Sequence, residues 1–262
     1  MKKLMFAAAV AAGLVAFGDG IESANSVGYT TKTVAADTFY LIGVQFEKVG
    51  LDGAAGLNDI LTMNGIAPVA FDNMLTDAAR IDVLVGNVYQ QYFYINDADD
   101  GTEVYNLTGW ADGAGNLIST ADLALGDGFW FHAPTVSAGA SITVAGEVTA
   151  STEITLNVPS GKAFAIRANP FPLAVNLKDV STSGITAVPF DNMLTDAARI
   201  DVLIGNVYQQ YFYISDADDG SETYDKLGWA DGAGNLIDSN VIDVGASFWI
   251  NSPAAGTLTF TK

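Results

Sequence analysis

The sequence predicts an all-β protein made of two tandem β-sandwich domains, with a small β-barrel as the alternative architecture for each. Three observations predict it. Residues 71–117 recur at 190–236 with an offset of 119 and no gap, and seven of those 47 positions differ. Short runs rich in Val, Ile, Tyr, Phe and Trp follow one another at roughly ten-residue spacing, separated by Gly, Asn and Asp, which is how sandwiches and barrels read. Half of the 262 residues are hydrophobic, a composition that supplies packed cores and does not suit disorder.

In chain order, the first segment reads as an export leader. Lys2 and Lys3 form a positive start, Leu4 to Phe17 an apolar run, and Ala16 and Gly18 the small residues before a cleavage site. The expected cut precedes Asp19, giving a leader at 1–18. The apolar run is shorter than the roughly 20 residues a membrane span needs. Two repeat units follow, 19–145 and 146–262. The likeness between them extends weakly beyond the near-identical block: FYLIGVQF at 39–46 faces FAIRANPF at 164–171, and LGDGFWFHAP at 125–134 faces VGASFWINSP at 244–253. The second pair shares Gly126, Phe129, Trp130 and Pro134 with Gly245, Phe248, Trp249 and Pro253. The junction ITVAGEVTASTEITL reads as strand, short turn, strand, so the units are expected to abut.

Within the first unit Asp72 to Arg80 is the one helix candidate, repeated at Asp191 to Arg199; a loop with a single turn is the alternative. Arg80 to Val85 alternates, placing Ile81, Val83 and Val85 on one face. Gly86-Asn87 marks a hairpin turn into the strand Val88 to Ile95. Asn96 to Gly101 is an Asp-rich turn, and Thr102 to Trp110 the return strand. Asp112-Gly113 and Gly115-Asn116 mark a further turn. Gly128 to His132 and Ser141 to Val144 close the unit.

Composition narrows function. The chain has no Cys, which removes disulfides, thiolate metal sites and a Cys nucleophile. Taking Lys2 and Lys3 away with the leader leaves 9 basic against 30 acidic residues, a formal charge of −21. That field repels nucleic acid and anionic membrane, attracts cations and favours solubility; it fits either a salty medium or use of divalent ions. His132 is the only His, and Asn251 stands in its place in the second unit, so a His-based triad or zinc site has no duplicate. The carboxylates fall mostly in turns, where Asp serves the backbone. The expectation is a protein that is not an enzyme.

Two candidate sites stand out. The turn at 97–103 gathers Asp97, Asp99, Asp100 and Glu103, and its repeat gathers Asp216, Asp218, Asp219 and Glu222. Clustered oxygens beside a Gly suit Ca2+, although the Gly arrives one residue earlier than in an EF-hand loop. The second is aromatic: Tyr89, Tyr92, Tyr94 and Trp110, repeated as Tyr208, Tyr211, Tyr213 and Trp229. Alternation sends Tyr89, Gln91 and Phe93 to one face and Tyr92 and Tyr94 to the other. One face must be core. The other is either a cross-strand ladder that stiffens the sheet or a platform for sugar rings.

Three short motifs carry a family likeness: Glu22-Ser23-Ala24-Asn25-Ser26-Val27-Gly28-Tyr29, Ala168-Asn169-Pro170-Phe171-Pro172, and the Gly-x-x-Phe-Trp strands at 126–130 and 245–249. In these the chain resembles secreted β-repeat proteins of the planctomycete–verrucomicrobial kind. The resemblance implies a place outside the cytoplasm and a β fold, and carries over no functional residue. The first unit departs from it with Val44-Gln45-Phe46 where the second has Asn169-Pro170-Phe171.

The expected function is a non-catalytic exported structural protein, a cell-surface, matrix or fibre-forming subunit. The alternative is an extracellular glycan-binding module, calcium-stabilised. The expected location is secreted or cell-surface, the periplasm included, with no membrane insertion once the leader is removed and no nucleic-acid partner. Expected partners are further copies of the chain, joined head to tail or through Val27 to Thr33 as a sheet edge into a filament or layer, and polysaccharide.

Overall fold

The computed structural model describes residues 26–48, 56–99, 101, 106–118, 123–205, 207–220 and 224–262. The expected leader, Asp100, Glu103 and Glu222 lie outside these residues.

The first unit contributes β1 (Val27–Thr33), β2 (Thr38–Gly43), β3 (Leu61–Asn64), β4 (Arg80–Val85), β5 (Val88–Ala98), β6 (Leu107–Ala111), β7 (Gly128–Ala133) and β8 (Ser141–Glu147). The second contributes β9 (Glu153–Val158), β10 (Phe164–Ala168), β11 (Val175–Asn176), β12 (Ser181–Ser183), β13 (Arg199–Ile204), β14 (Val207–Asp218), β15 (Tyr224–Ala230), β16 (Asn240–Ile242), β17 (Ser247–Asn251) and β18 (Gly256–Thr261). In the first unit a five-stranded antiparallel sheet runs β2-β7-β4-β5-β6 and a three-stranded sheet β1-β8-β3. The second unit repeats both orders, as β10-β17-β13-β14-β15 and β9-β18-β12, and adds the short pair β11-β16. All the sheets are open, so each unit is a sandwich and not the alternative barrel.

Alternation builds the cores. Ile42, Ile81, Phe129 and Phe131 point from the larger sheet toward Ile142 and Val144 of the smaller one, with Trp110, Phe46, Leu57 and Ile60 closing the cluster. In the second unit Ile200, Val202, Phe248 and Ile250 face Leu156, Leu258 and Phe260, with Trp229 and Phe171 beside them. Each fully buried aromatic or aliphatic side chain contributes about 1.5–3 kcal/mol of transfer free energy. The β4–β5 hairpin closes on Val85 opposite Val88, with Gly86 at φ +62°, the left-handed first position that a two-residue Gly-Asn turn of the II′ kind requires.

Asp72 to Arg80 does not form a nine-residue helix. A 3-10 turn at Phe71–Asn73 leads into one α-turn, Met74–Asp77, and Ala78 is already extended. The same happens at Phe190–Asn192 and Met193–Asp196. The reason is tertiary: Arg80 and Arg199 begin strands, and Met74 and Ala78 are buried against Phe93, Ile95, Ala98 and Ala111 on the far side of the larger sheet. Packing there overrides the modest helix propensity of a short segment.

β8 stays paired to β1 through Glu147, and β9 begins at Glu153, so the passage between sandwiches is 148–152, just beyond the 145/146 line read from the repeat. The two units meet at the ends of β2 and β10. Gly43 N–H donates to the Gly245 carbonyl at 3.1 Å, and Ala168 N–H donates to the Gly126 carbonyl at 2.7 Å. Gly43 corresponds to Ala168, and Gly126 to Gly245, in the alignment of the repeats. The contact is therefore reciprocal, the pattern of a two-fold interface within one chain. Close approach needs the glycines. A Cβ on Gly43 would stand 2.5 Å from that of Ala168, and one on Gly126 (φ +85°) 2.4 Å from the Leu156 side chain. An ion pair, Arg167 Nη1 to Asp127 Oδ1 at 2.9 Å, crosses the same junction.

Candidate functional site

The side of the five-stranded sheet turned away from its core carries the most chemistry. On β7, Phe129 and Phe131 go inward, so Trp130 and His132 go outward. On β4, Ile81 and Val83 go inward, so Arg80 and Asp82 go outward. Register then lines up one row across four strands. Leu41 pairs with Trp130 and Phe39 with His132; Asp82 lies between Trp130 and Gln91; Leu84 pairs with Tyr89.

The side chains in this row are tied together. Asp82 holds the Arg80 guanidinium through a hydrogen bond from Nη2 to Oδ2 at 3.0 Å, with Nε 2.9 Å from Oδ1 as an ion-pair contact outside hydrogen-bond geometry. Gln91 Nε2 donates to the same Oδ1 at 3.1 Å. The guanidinium carbon lies 5.8 Å from the Phe39 ring centroid. Phe39 meets Trp130 edge to face, with centroids 6.3 Å apart, and stacks on His132 at 4.3 Å. Burial raises the Tyr89 pKa; the neighbouring Trp130 indole opposes this, and the charges of Asp82 and Tyr208 add to it. Phe39 keeps 48% of its surface and Tyr89 41%.

The second unit rebuilds the row. Arg199 pairs with Asp201 in the same way, Nη2 donating to Oδ2 at 2.9 Å with Nε 2.9 Å from Oδ1, and sits 5.8 Å from the Phe164 centroid. Phe164 meets Trp249 edge to face at 5.7 Å, and Gln210 and Tyr208 occupy the places of Gln91 and Tyr89. All six residue types match between the units. Four of the pairs lie inside the near-identical block. Phe39/Phe164 and Trp130/Trp249 lie outside it, where the strands have drifted. In β2 against β10 the residues after the Phe are Tyr40-Leu41-Ile42-Gly43 and Ala165-Ile166-Arg167-Ala168, with no identity. The exposed Phe is retained while its buried neighbours have changed. Packing demands produce the opposite pattern, since cores respond to changes of a single methylene while exposed positions tolerate substitution.

The second unit departs from the first in two places: among the described residues Asp201 Oδ1 has no hydrogen-bond partner where Asp82 Oδ1 accepts from Gln91, and His132 has no counterpart. Its Nε2 is 3.9 Å from Asp37 Oδ1, and Asn251 stands in its place, bonded to the Lys162 carbonyl. Burial lowers the His132 pKa and the Arg80 charge lowers it further, against smaller opposing effects of Asp37 and Asp82.

The aromatic residues singled out in the sequence divide by face. Tyr89 and Tyr208 are exposed and belong to the outer row. Trp110, Trp229 and Tyr211 are buried in the cores; Tyr92, Tyr94 and Tyr213 pack against them, Tyr94 on Trp110 at 5.5 Å and Tyr213 on Trp229 at 5.3 Å. These six have inward roles and offer no platform. The expected alternation of Tyr89, Gln91 and Phe93 against Tyr92 and Tyr94 holds in the register.

The Asp-rich turns serve the backbone. Asp97 Oδ1 accepts the Phe71 N–H at 2.7 Å and Asp216 Oδ1 the Phe190 N–H at 2.7 Å, tying the Phe71 and Phe190 turns to the sheet. Asp99 and Asp218 accept from Gly101 at 2.8 Å and Gly220 at 2.7 Å, closing their own loops. Asp219 lies 3.7 Å from Lys226. Among the described residues no three acidic or His side chains converge on one point.

Sequence reasoning missed Phe39, Arg80, Asp82 and Trp130 as a unit with Tyr89, because they come from four separate stretches. A signal was present: Phe39/Phe164 is the only identity in five consecutive aligned positions of β2 and β10.

No protein family, no curated protein and no solved structure matches the chain.

Proposed function

We propose that this is a non-catalytic exported protein of the cell surface or extracellular matrix that holds its partner through two equivalent sheet faces. The observation that carries the reading is the six-residue row repeated on both outer faces, with its exposed Phe kept where buried neighbours changed. Binding residues are expected on exposed, rigidly supported positions, and here the sheet and the Arg–Asp pairs fix them. The leader-like start and the charge of −21 support a place outside the cytoplasm and away from nucleic acid and anionic lipid. His132 has Asn251 in its place in the second unit, so the two matched faces share no His.

The test is cell fractionation followed by cosedimentation. The mature chain is expected outside the inner membrane and in the pellet with washed envelope or matrix material. The Phe39→Ala/Phe164→Ala double variant is expected in the supernatant with an unchanged circular dichroism spectrum. Equal pelleting of both proteins would defeat the proposal.

A second reading, assembly into a filament or layer, draws on β1. It is an edge strand of its sheet, and Val27 and Tyr29 on it are largely exposed, a template on which another chain can add. Analytical ultracentrifugation separates the two: a monomer at high concentration removes the assembly reading and leaves the first intact.

A further inference from the structure

The ligand class can be read from the chemistry of the row. Its centre is polar: a guanidinium paired with a carboxylate, and beside them an amide and a phenol, which together offer donors and acceptors. Its ends are aromatic, Phe39 and Trp130 meeting at an interplanar angle of 83° and Phe164 and Trp249 at 88°. A partner must therefore present apolar C–H surface and several hydroxyl groups within one ring width. Apolar lipid or a hydrophobic peptide would leave the Arg–Asp–Gln group desolvated without partners. A polyanion would meet Asp82 and Asp201 at the centre of each row, in a strongly negative field.

The rows are also joined. Phe39 and Leu41 of the first unit share a cleft of about 490 Å³ with Leu203, Ile204 and Gly205, which belong to the second unit's hairpin. Leu203 of that hairpin pairs with Tyr208, which carries the cleft to the second row. The hairpin of one unit thus extends the face of the other.

We propose that the two rows form one platform for a neutral, hydroxyl-rich polysaccharide chain, with Phe39 and Phe164 as its stacking ends and the Arg80–Asp82 and Arg199–Asp201 pairs as its hydroxyl-binding centres. This rests on the two-face reading above and names the partner's class. Open sheet faces suit an internal stretch of polymer more than a single sugar, which needs a deeper enclosure. Linking two weak sites on one polymer raises avidity by about 10²–10⁴-fold when geometry allows both to engage.

The experiment is affinity electrophoresis of the mature full-length chain in native gels containing xyloglucan, galactomannan, arabinoxylan or dextran, with alginate and heparin as anionic probes. At least one neutral polymer is expected to retard the protein and neither anionic polymer to do so. Phe39→Ala and Phe164→Ala are each expected to weaken retardation about 10²-fold by removing the two-site gain. Gln91→Ala/Gln210→Ala, also at exposed positions, is a second variant pair expected to weaken it. Retardation by the anionic polymers alone, retardation that survives every variant, or no retardation by any polymer would overturn the glycan assignment. In the last case cosedimentation with envelope material that still depends on Phe39 and Phe164 leaves the two-face reading standing with another partner. Loss of both results removes the two readings together.

Discussion

Gly126→Ala is expected to destabilise the protein through the junction between the two sandwiches. Gly126 sits at φ +85°, and a Cβ there would lie 2.4 and 3.1 Å from the Leu156 methyls of the second unit. An L-residue in the left-handed region costs about 1–2 kcal/mol. Forcing a methyl into packed Leu156 adds about 1–3 kcal/mol. The Gly126 carbonyl also accepts the 2.7 Å bond from Ala168 N–H, so movement that relieves the clash loosens a junction hydrogen bond. The expected loss is about 2–5 kcal/mol in total. Urea unfolding followed by tryptophan fluorescence measures it, since Trp110 and Trp229 are buried in the two cores and become exposed on unfolding. Gly113→Ala is the control, because a Cβ at Gly113 meets nothing within 4 Å. A Gly126→Ala variant within about 0.5 kcal/mol of the parent, the range of an ordinary surface change, would refute the reasoning.

Three further outcomes are expected. Trp110→Ala removes a fully buried side chain and should cost about 3–5 kcal/mol, whereas Phe39→Ala should stay within about 1 kcal/mol; thermal unfolding of the pair checks the contrast. Asp112 and Asp231 are pushed up by burial, but bonds from Asn116 and Asn235 and from neighbouring backbone N–H groups outweigh this and hold both below the usual carboxylate range. Their stabilisation is present above about pH 3.9 and lost as pH falls through the depressed values, so the Asp112→Asn/Asp231→Asn variant should lose less stability on acidification than the parent. Asp127 has the opposite sign: burial raises its pKa, while the Ala124 N–H and Arg167 pull it down. Its contribution is present below about pH 3.9 and is lost as pH rises through the raised value, so Asp127→Asn should flatten that part of a stability-against-pH curve; an unchanged curve would contradict the assignment.

Much of the fold was legible because it is local or repeated. The Gly86-Asn87 turn, the alternation of Arg80 to Val85 and the aromatic strand after it are short-range patterns, and the duplication made each visible twice. The pairing of β1 with β8 was not legible, since nothing in Val27–Thr33 specifies a partner more than a hundred residues away. Burial of Trp110 was hidden for a related reason. Trp110 and Trp130 are both aromatic residues in short β runs, and a one-residue difference in register decides which side of the sheet each one faces. Trp110 pairs with Tyr94 and turns inward; Trp130 pairs with Asp82 and turns outward. The helix expected from Asp72 failed because Ala78 and Ala79 must be extended to deliver Arg80 into β4. In the Asp-rich turns sequence shows carboxylates and not their backbone partners; Asp97 bonds the backbone of Phe71, 26 residues earlier.

The central claim is that two equivalent faces act together, and the most direct test is to compare single-face variants. Binding of the parent, Phe39→Ala and Phe164→Ala to the same washed envelope preparation, measured as isotherms, should show equal losses for the two single variants and abolition in the double variant. Abolition by one single variant with full retention in the other would contradict the account.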